Sequence, residues 1–145
     1  MMLTLHEIEE VKIGDLTPFD KITAEEKRKI GKKAVEEVLG PLNKGINYIE
    51  IIEEFEKLET KEAKFAKMCD KLEADIQAKI YCEEKSIDMY NDKNAHLLQD
   101  DRIKGLIEKG AKSVADLYIE YDRPVFTEEI VEHIADFIKQ NNLLK

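Results

Sequence analysis

The feature that most constrains this 145-residue chain is its longest helical repeat, residues 61–84. There Ala63, Ala66, Met68, Cys69, Leu72, Ile76 and Ile80 recur at helical spacing behind Thr60, a residue suited to cap a first turn. The same period recurs elsewhere, while strand signals are almost absent. Thr23-Ala24-Glu25-Glu26 matches a capping box that opens a helix running to about Leu39, with Ile30, Ala34, Val35 and Val38 inward and Gly40-Pro41 as its stop. Tyr48, Ile51, Ile52, Phe55 and Leu58 form another helical stripe. Residues 3–13 predict a short helix that stops at Gly14, followed by a loop over 15–20 in which Pro18 disfavours helix at Thr17. Beyond residue 85 the pattern weakens. Asn91-Asp92-Lys93-Asn94 is turn-like, whereas Met89-Tyr90 and Leu97-Leu98 call for burial. A helix around 100–109 stops at Gly110, and Ser113 to Glu120 reads as helix or as a short extended piece. Tyr121-Asp122-Arg123-Pro124 reads as a loop. Thr127 then caps a last helix, with Ile130, Val131, Ile134, Phe137 and Ile138 in one stripe. The pattern predicts an all-α protein, a single-domain helical bundle over residues 1–145.

Charge narrows the function classes. There are 23 basic and 32 acidic side chains, a formal net charge of -9, and 38% of residues are charged. Lys and Arg alternate with Glu and Asp, as in Glu25-Glu26-Lys27-Arg28-Lys29, which describes a solvated helix face. A binder of nucleic-acid polymers would carry a basic footprint. No apolar run approaches the roughly 20 residues of a membrane span, so neither a polymer nor a membrane is an expected partner. A small anionic substrate remains compatible, because one pocket can oppose the global field. Cys69 and Cys82, if on one helix, lie roughly 20 Å apart. A disulfide needs Cα atoms within about 7 Å. Both therefore read as reduced residues of a cytoplasmic protein.

Chemistry concentrates in two places. Of the three histidines, His96 lacks a suitably spaced partner and reads as structural, and His133, between Ile130 and Ile134 and beside two glutamates, reads as a surface or boundary residue. His6 is followed by Glu7 and, one turn later, by Glu10, which on a helix directs an imidazole and a carboxylate from one side. Neutral imidazole and carboxylate oxygens suit a first-row divalent ion. Far along the chain, Asp70 sits mid-way in the most apolar helix, next to its buried stripe, where a carboxylate needs a cation or several donors. A salt bridge to Lys64, Lys67 or Lys71 is one solution and a metal ion is the other.

Taken together, His6-Glu7-Ile8-Glu9-Glu10-Val11-Lys12-Ile13-Gly14-Asp15-Leu16-Thr17-Pro18, the later Glu62-Ala63-Lys64, and Asp70-Lys71-Leu72-Glu73 with Gln77-Ala78 resemble the HD-domain metal-dependent phosphohydrolases. The nearest branch is that of the bacterial 5′-deoxynucleotidases and their eukaryotic relatives. The resemblance covers about residues 3–82, and residues 85–145 read as a helical extension. It implies an HD-domain-like helical fold and a divalent metal of the Mn, Co, Mg, Fe or Zn class. It also implies a small phosphorylated substrate such as a nucleoside 5′-monophosphate. By position it makes His6, Glu7 and Asp70 metal ligands, Glu10 the carboxylate of proton transfer, and Asp15 the residue that orients water or substrate. Glu7 stands where the family has aspartate, one methylene longer.

The family's first histidine and its helix lie upstream of the paired segment, and five residues precede His6. The resemblance therefore implies a fold lacking its first helix or helices, with that ligand supplied by an upstream extension or a second chain. A core built for one more helix would expose apolar surface, which predicts a homodimer. Two further readings stand beside the enzyme: a catalytically impaired HD-like remnant serving as a dimerisation or interaction module, and an unrelated acidic helical protein.

Overall fold

Helices begin and end where the local chemistry sets them. In the computed structural model, which describes residues 1–16, 20, 22–90 and 97–144 (Leu97 by its backbone alone), they are α1 (Met2–Leu5), α2 (Glu10–Ile13), α3 (Ala24–Leu39), α4 (Gly45–Lys57), α5 (Lys61–Glu83), α6 (Asp101–Glu108), α7 (Val114–Asp122) and α8 (Glu129–Gln140). Short 3₁₀ turns occupy Leu97–Gln99 and Arg123–Val125. The described residues contain no strand, so the all-α expectation holds. The readings made at Thr17-Pro18, at Asn91–Asn94 and at His96 lie outside the described residues. The chain divides into two compact units, Met1–Lys67 and Met68–Lys145, with α5 running through both.

In the first unit, Thr23 caps α3 as expected. Its hydroxyl accepts from the Glu26 N–H, and the Glu26 carboxylate accepts from the Thr23 N–H at 3.0 Å. The core joins Val35 and Leu39 of α3 to Ile52 of α4, with Leu5, Ile8, Val38, Tyr48 and Ile49 packed against them. Ile30 is exposed, contrary to the expected stripe. Five residues before Val35, it points about 140° away from it around the helix. The predicted 3–13 helix is broken into α1 and α2. Between them Ile8 N–H bonds Leu5 O and Glu10 N–H bonds Glu7 O, both at 3.0 Å. Three residues per turn aligns Leu5 with Ile8 and brings both onto the core. Gly14 stops α2 as expected, at φ 72°, a left-handed conformation that glycine adopts without a Cβ clash. Gly45 serves a different need. A Cβ there would stand 1.9 Å from the Leu39 carbonyl oxygen, so only glycine lets α4 start against the end of α3.

In the second unit, the main core joins Met68, Ile119, Phe126, Val131, Ala135 and Ile138. A second cluster joins Met89, Ala111 and Leu117. Ser113 to Glu120 is helix, because Ser113 and Asp116 form a capping box. Tyr121 and Asp122 finish that helix instead of forming a loop. Thr127 does not cap α8. Its N–H points to the Met68 sulfur at 3.4 Å, and Glu128 takes the cap position. The inward stripe of α8 is Val131, Ala135 and Ile138, while Ile130, Ile134 and Phe137 are exposed. Ala135 joins the core with Val131 and Ile138, and the three larger residues lie on the neighbouring face. Cys69 and Cys82 are both free thiols.

Candidate metal centre

His6 ends α1 and is held from two sides. Its Nδ1 lies 3.1 Å from the Leu3 carbonyl oxygen. A carbonyl can only accept, so the ring proton belongs on Nδ1 and the lone pair on Nε2. The ring edge meets Phe55 with centroids 5.3 Å apart and planes at 66°. Metal-ligating histidines are oriented by such a bond from the other nitrogen to a carbonyl. Glu7 follows on the turn, with Oε1 3.6 Å from His6 Nε2 and its side chain open to solvent. An imidazole nitrogen beside carboxylate oxygens is a donor set that suits a divalent first-row ion.

The break between α1 and α2 changes how the other acids stand. Glu10 heads α2 instead of lying one regular turn beyond His6. Its pKa is raised by burial, and further by the negative charges of Asp15, Glu7 and Glu9, with Lys27 offsetting them. Asp15 is exposed, directly after the Gly14 reversal. Glu9, which the sequence reading did not single out, is half-buried. Its Oε2 has no hydrogen-bond partner, and burial raises its pKa, with Lys27 again lowering it. Its Cγ lies 3.8 Å from where a side chain on Gly31 would begin.

Asp70 lies on α5, half-buried, one turn beyond Ala66 and Lys67. Within the first unit, Lys67 holds its ammonium 5.3 Å from the centroid of the Phe55 ring, whose rim meets His6. The second unit holds an acid that sequence reasoning missed. Asp75 is fully buried, and neither carboxylate oxygen has a hydrogen-bond partner. Burial, then the charge of Asp122, pushes its pKa up to about 7, against Lys71 and Arg123. Lys71 Nζ stands 3.7 Å from Asp122 Oδ1. The signal was present in the spacing, since position 75 falls seven residues after Met68 and three after Leu72, on the stripe those residues define.

No helix among the described residues is long and apolar enough to cross a membrane. Comparison with known proteins agrees with the likeness read from the letters. The 5′-deoxynucleotidase HDDC2 of Dictyostelium discoideum is 38% identical over 82 residues, which is 55% of this chain and 43% of that protein. The 5′-deoxynucleotidase hdd1 of Schizosaccharomyces pombe is 37% identical over 75 residues, 48% of this chain and 38% of that protein. The human 5′-deoxynucleotidase HDDC2 is 33% identical over 79 residues, 53% of this chain and 39% of that protein. The chain thus spans about two-fifths of the length of these curated relatives. No solved structure matches it. Residues 1–115 match the HD domain family, further than the segment that carries the sequence likeness, and the chain belongs to that family.

Proposed function

We propose that this chain carries the metal-holding part of a phosphohydrolase that acts on nucleoside 5′-monophosphates. The observation that carries the reading is His6 itself, tied through Nδ1 to the Leu3 carbonyl so that Nε2 and the Glu7 carboxylate are offered together. By the family likeness of the sequence, His6, Glu7 and Asp70 would hold the ion, an imidazole and two carboxylates that suit it. A divalent ion bound there supplies Lewis-acid polarisation of a phosphoryl oxygen and a more acidic water.

The chain's own acids do the rest. Hydrolysis forms a bond from water oxygen to phosphorus and breaks the bond from phosphorus to the ester oxygen. A proton must leave the water and one must reach the departing alkoxide. Glu10 moves that proton, and its raised pKa suits a group that must hold and release protons nearer neutrality than a surface glutamate does. Asp15 orients the attacking water or the sugar. The names of the relatives support nucleotides as the substrate class.

The reading is tested by phosphate release from a panel of deoxynucleoside 5′-monophosphates with Mn²⁺, Co²⁺ or Mg²⁺, using the full-length protein. His6→Ala is expected to lower both turnover and bound metal about 100-fold. Wild-type turnover no greater than that of His6→Ala refutes the reading. One observation favours the second reading, an interaction module that self-associates: Ile130, Ile134 and Phe137 leave an exposed apolar stripe along α8. Light scattering decides it, a monomer with stoichiometric metal counting against the module.

A further inference from the structure

Lys27, Gly31, Ala34, Val35 and Val38 share one face of α3 at helical spacing, with Lys27 as its charged member. Two contacts show the stripe meeting the acidic segment. Glu9 of the α2 cap lies over Gly31. Lys27 Nζ donates across 11 positions to the carbonyl oxygen of Leu16, the residue after Asp15. Three neighbouring lysines pair with acids: Lys12 with Glu37 at 3.8 Å, Lys32 with Glu53 at 2.9 Å, and Lys33 with Glu37 at 3.8 Å. Lys27 instead bonds a neutral backbone oxygen while four carboxylates, Glu7, Glu9, Glu10 and Asp15, crowd one short segment.

We propose that Lys27 is a positioning residue that clamps the Asp15 loop onto α3 and so sets Asp15 against Glu10. The inference rests on the hydrolase reading above and deepens it. Three features make the clamp work. The capping box at Thr23 fixes the first turn of α3, from which Lys27 projects. The left-handed Gly14 reverses the chain after α2, bringing the Leu16 carbonyl toward that turn. Glu10 and Asp15 repel each other as like charges. Lys27 counters that repulsion by charge while its hydrogen bond holds the backbone.

The test uses Lys27→Met, which keeps the alkyl stem and removes the charge, and Lys27→Arg, which restores a cationic donor. Hydrogen exchange over residues 14–16 is expected to quicken about tenfold in Lys27→Met. With Mn²⁺ and a deoxynucleoside monophosphate, kcat is expected to fall about 30-fold, as small misplacements of an oriented group do. KM and bound Mn²⁺ should stay within about twofold, and Lys27→Arg should recover most of both losses. Unchanged kcat in an active Lys27→Met enzyme overturns the proposal, and so does a kcat loss that Lys27→Arg does not recover. If the wild-type protein hydrolyses nothing on the panel, the hydrolase reading is what has failed. The exchange measurement then judges the clamp alone: faster exchange relieved by arginine upholds it, and equal exchange refutes it.

Discussion

The two units both take carboxylates away from water, and they do it to opposite ends. In Met1–Lys67 the acids sit on the turn between two four-residue helices, at the start of the second, and just after it. Glu10 is partly buried there, close to the exposed Asp15 and Glu7, so its raised pKa comes with access to solvent. In Met68–Lys145, Asp75 lies deep in the longest helix with no exposure and no hydrogen-bond partner. Burial is the leading cause in both places. What differs is the route to a proton. An acid at a surface turn can exchange one with a bound molecule, whereas a sealed acid exchanges one only as the fold opens. The first arrangement fits the proposed chemistry, and the second makes stability depend on pH.

That contrast breaks down if the two acids respond alike to removal of their charge. The largest expected effect is on turnover. Glu10→Gln should lower kcat about 1,000-fold with bound metal retained, whereas Asp75→Asn should leave kcat within about twofold. Equal losses in steady-state assays would erase the distinction. Next comes stability in the second unit. The folded pKa of Asp75, about 7, lies above its ordinary value of 3.8. The native fold therefore binds the extra proton between those values, and stability falls as pH rises through that window, with the penalty complete above its upper end. Urea unfolding should show Asp75→Asn more stable than wild type by about 2 kcal/mol at pH 8 and equal to it at pH 4. A gain at both pH values would mean that packing, and not the proton, is responsible. The smallest effect sharpens the picture of the first unit. Thr23→Ala removes the capping box of α3 and should cost about 1 kcal/mol, read as a lowered thermal midpoint at neutral pH.

Much of this was legible in the letters because it depends on neighbours in sequence. The Thr23 box, the Gly14 and Gly110 stops, the span of α3 and the Thr60 bond to the Ala63 N–H are all local. So was the family likeness, whose motif lies within short segments. What failed did so for tertiary reasons. The helix over 3–13 was broken because Leu5 and Ile8 both had to reach the core around Val35 and Ile52. Thr127 lost its capping role to a contact with Met68, 59 residues away in sequence. On α8 the buried stripe is Val131, Ala135 and Ile138, the face that joins Met68, Ile119 and Phe126 in the core. Asp75 looked like one more charge on a charged helix, and only the folded chain shows it buried.

The sequence by itself determined the all-helical class, the span and Thr23 cap of α3 and the order of the acids, because hydrogen bonds within three or four residues and a 3.6-residue period need nothing distant. Tertiary structure alone decided which acids keep water and which lose it, and which nitrogen of His6 is turned outward. Burial and orientation are set by groups that meet only when the chain is folded: the Phe55 ring beside His6, Gly31 beside Glu9, and Asp122 beside Asp75.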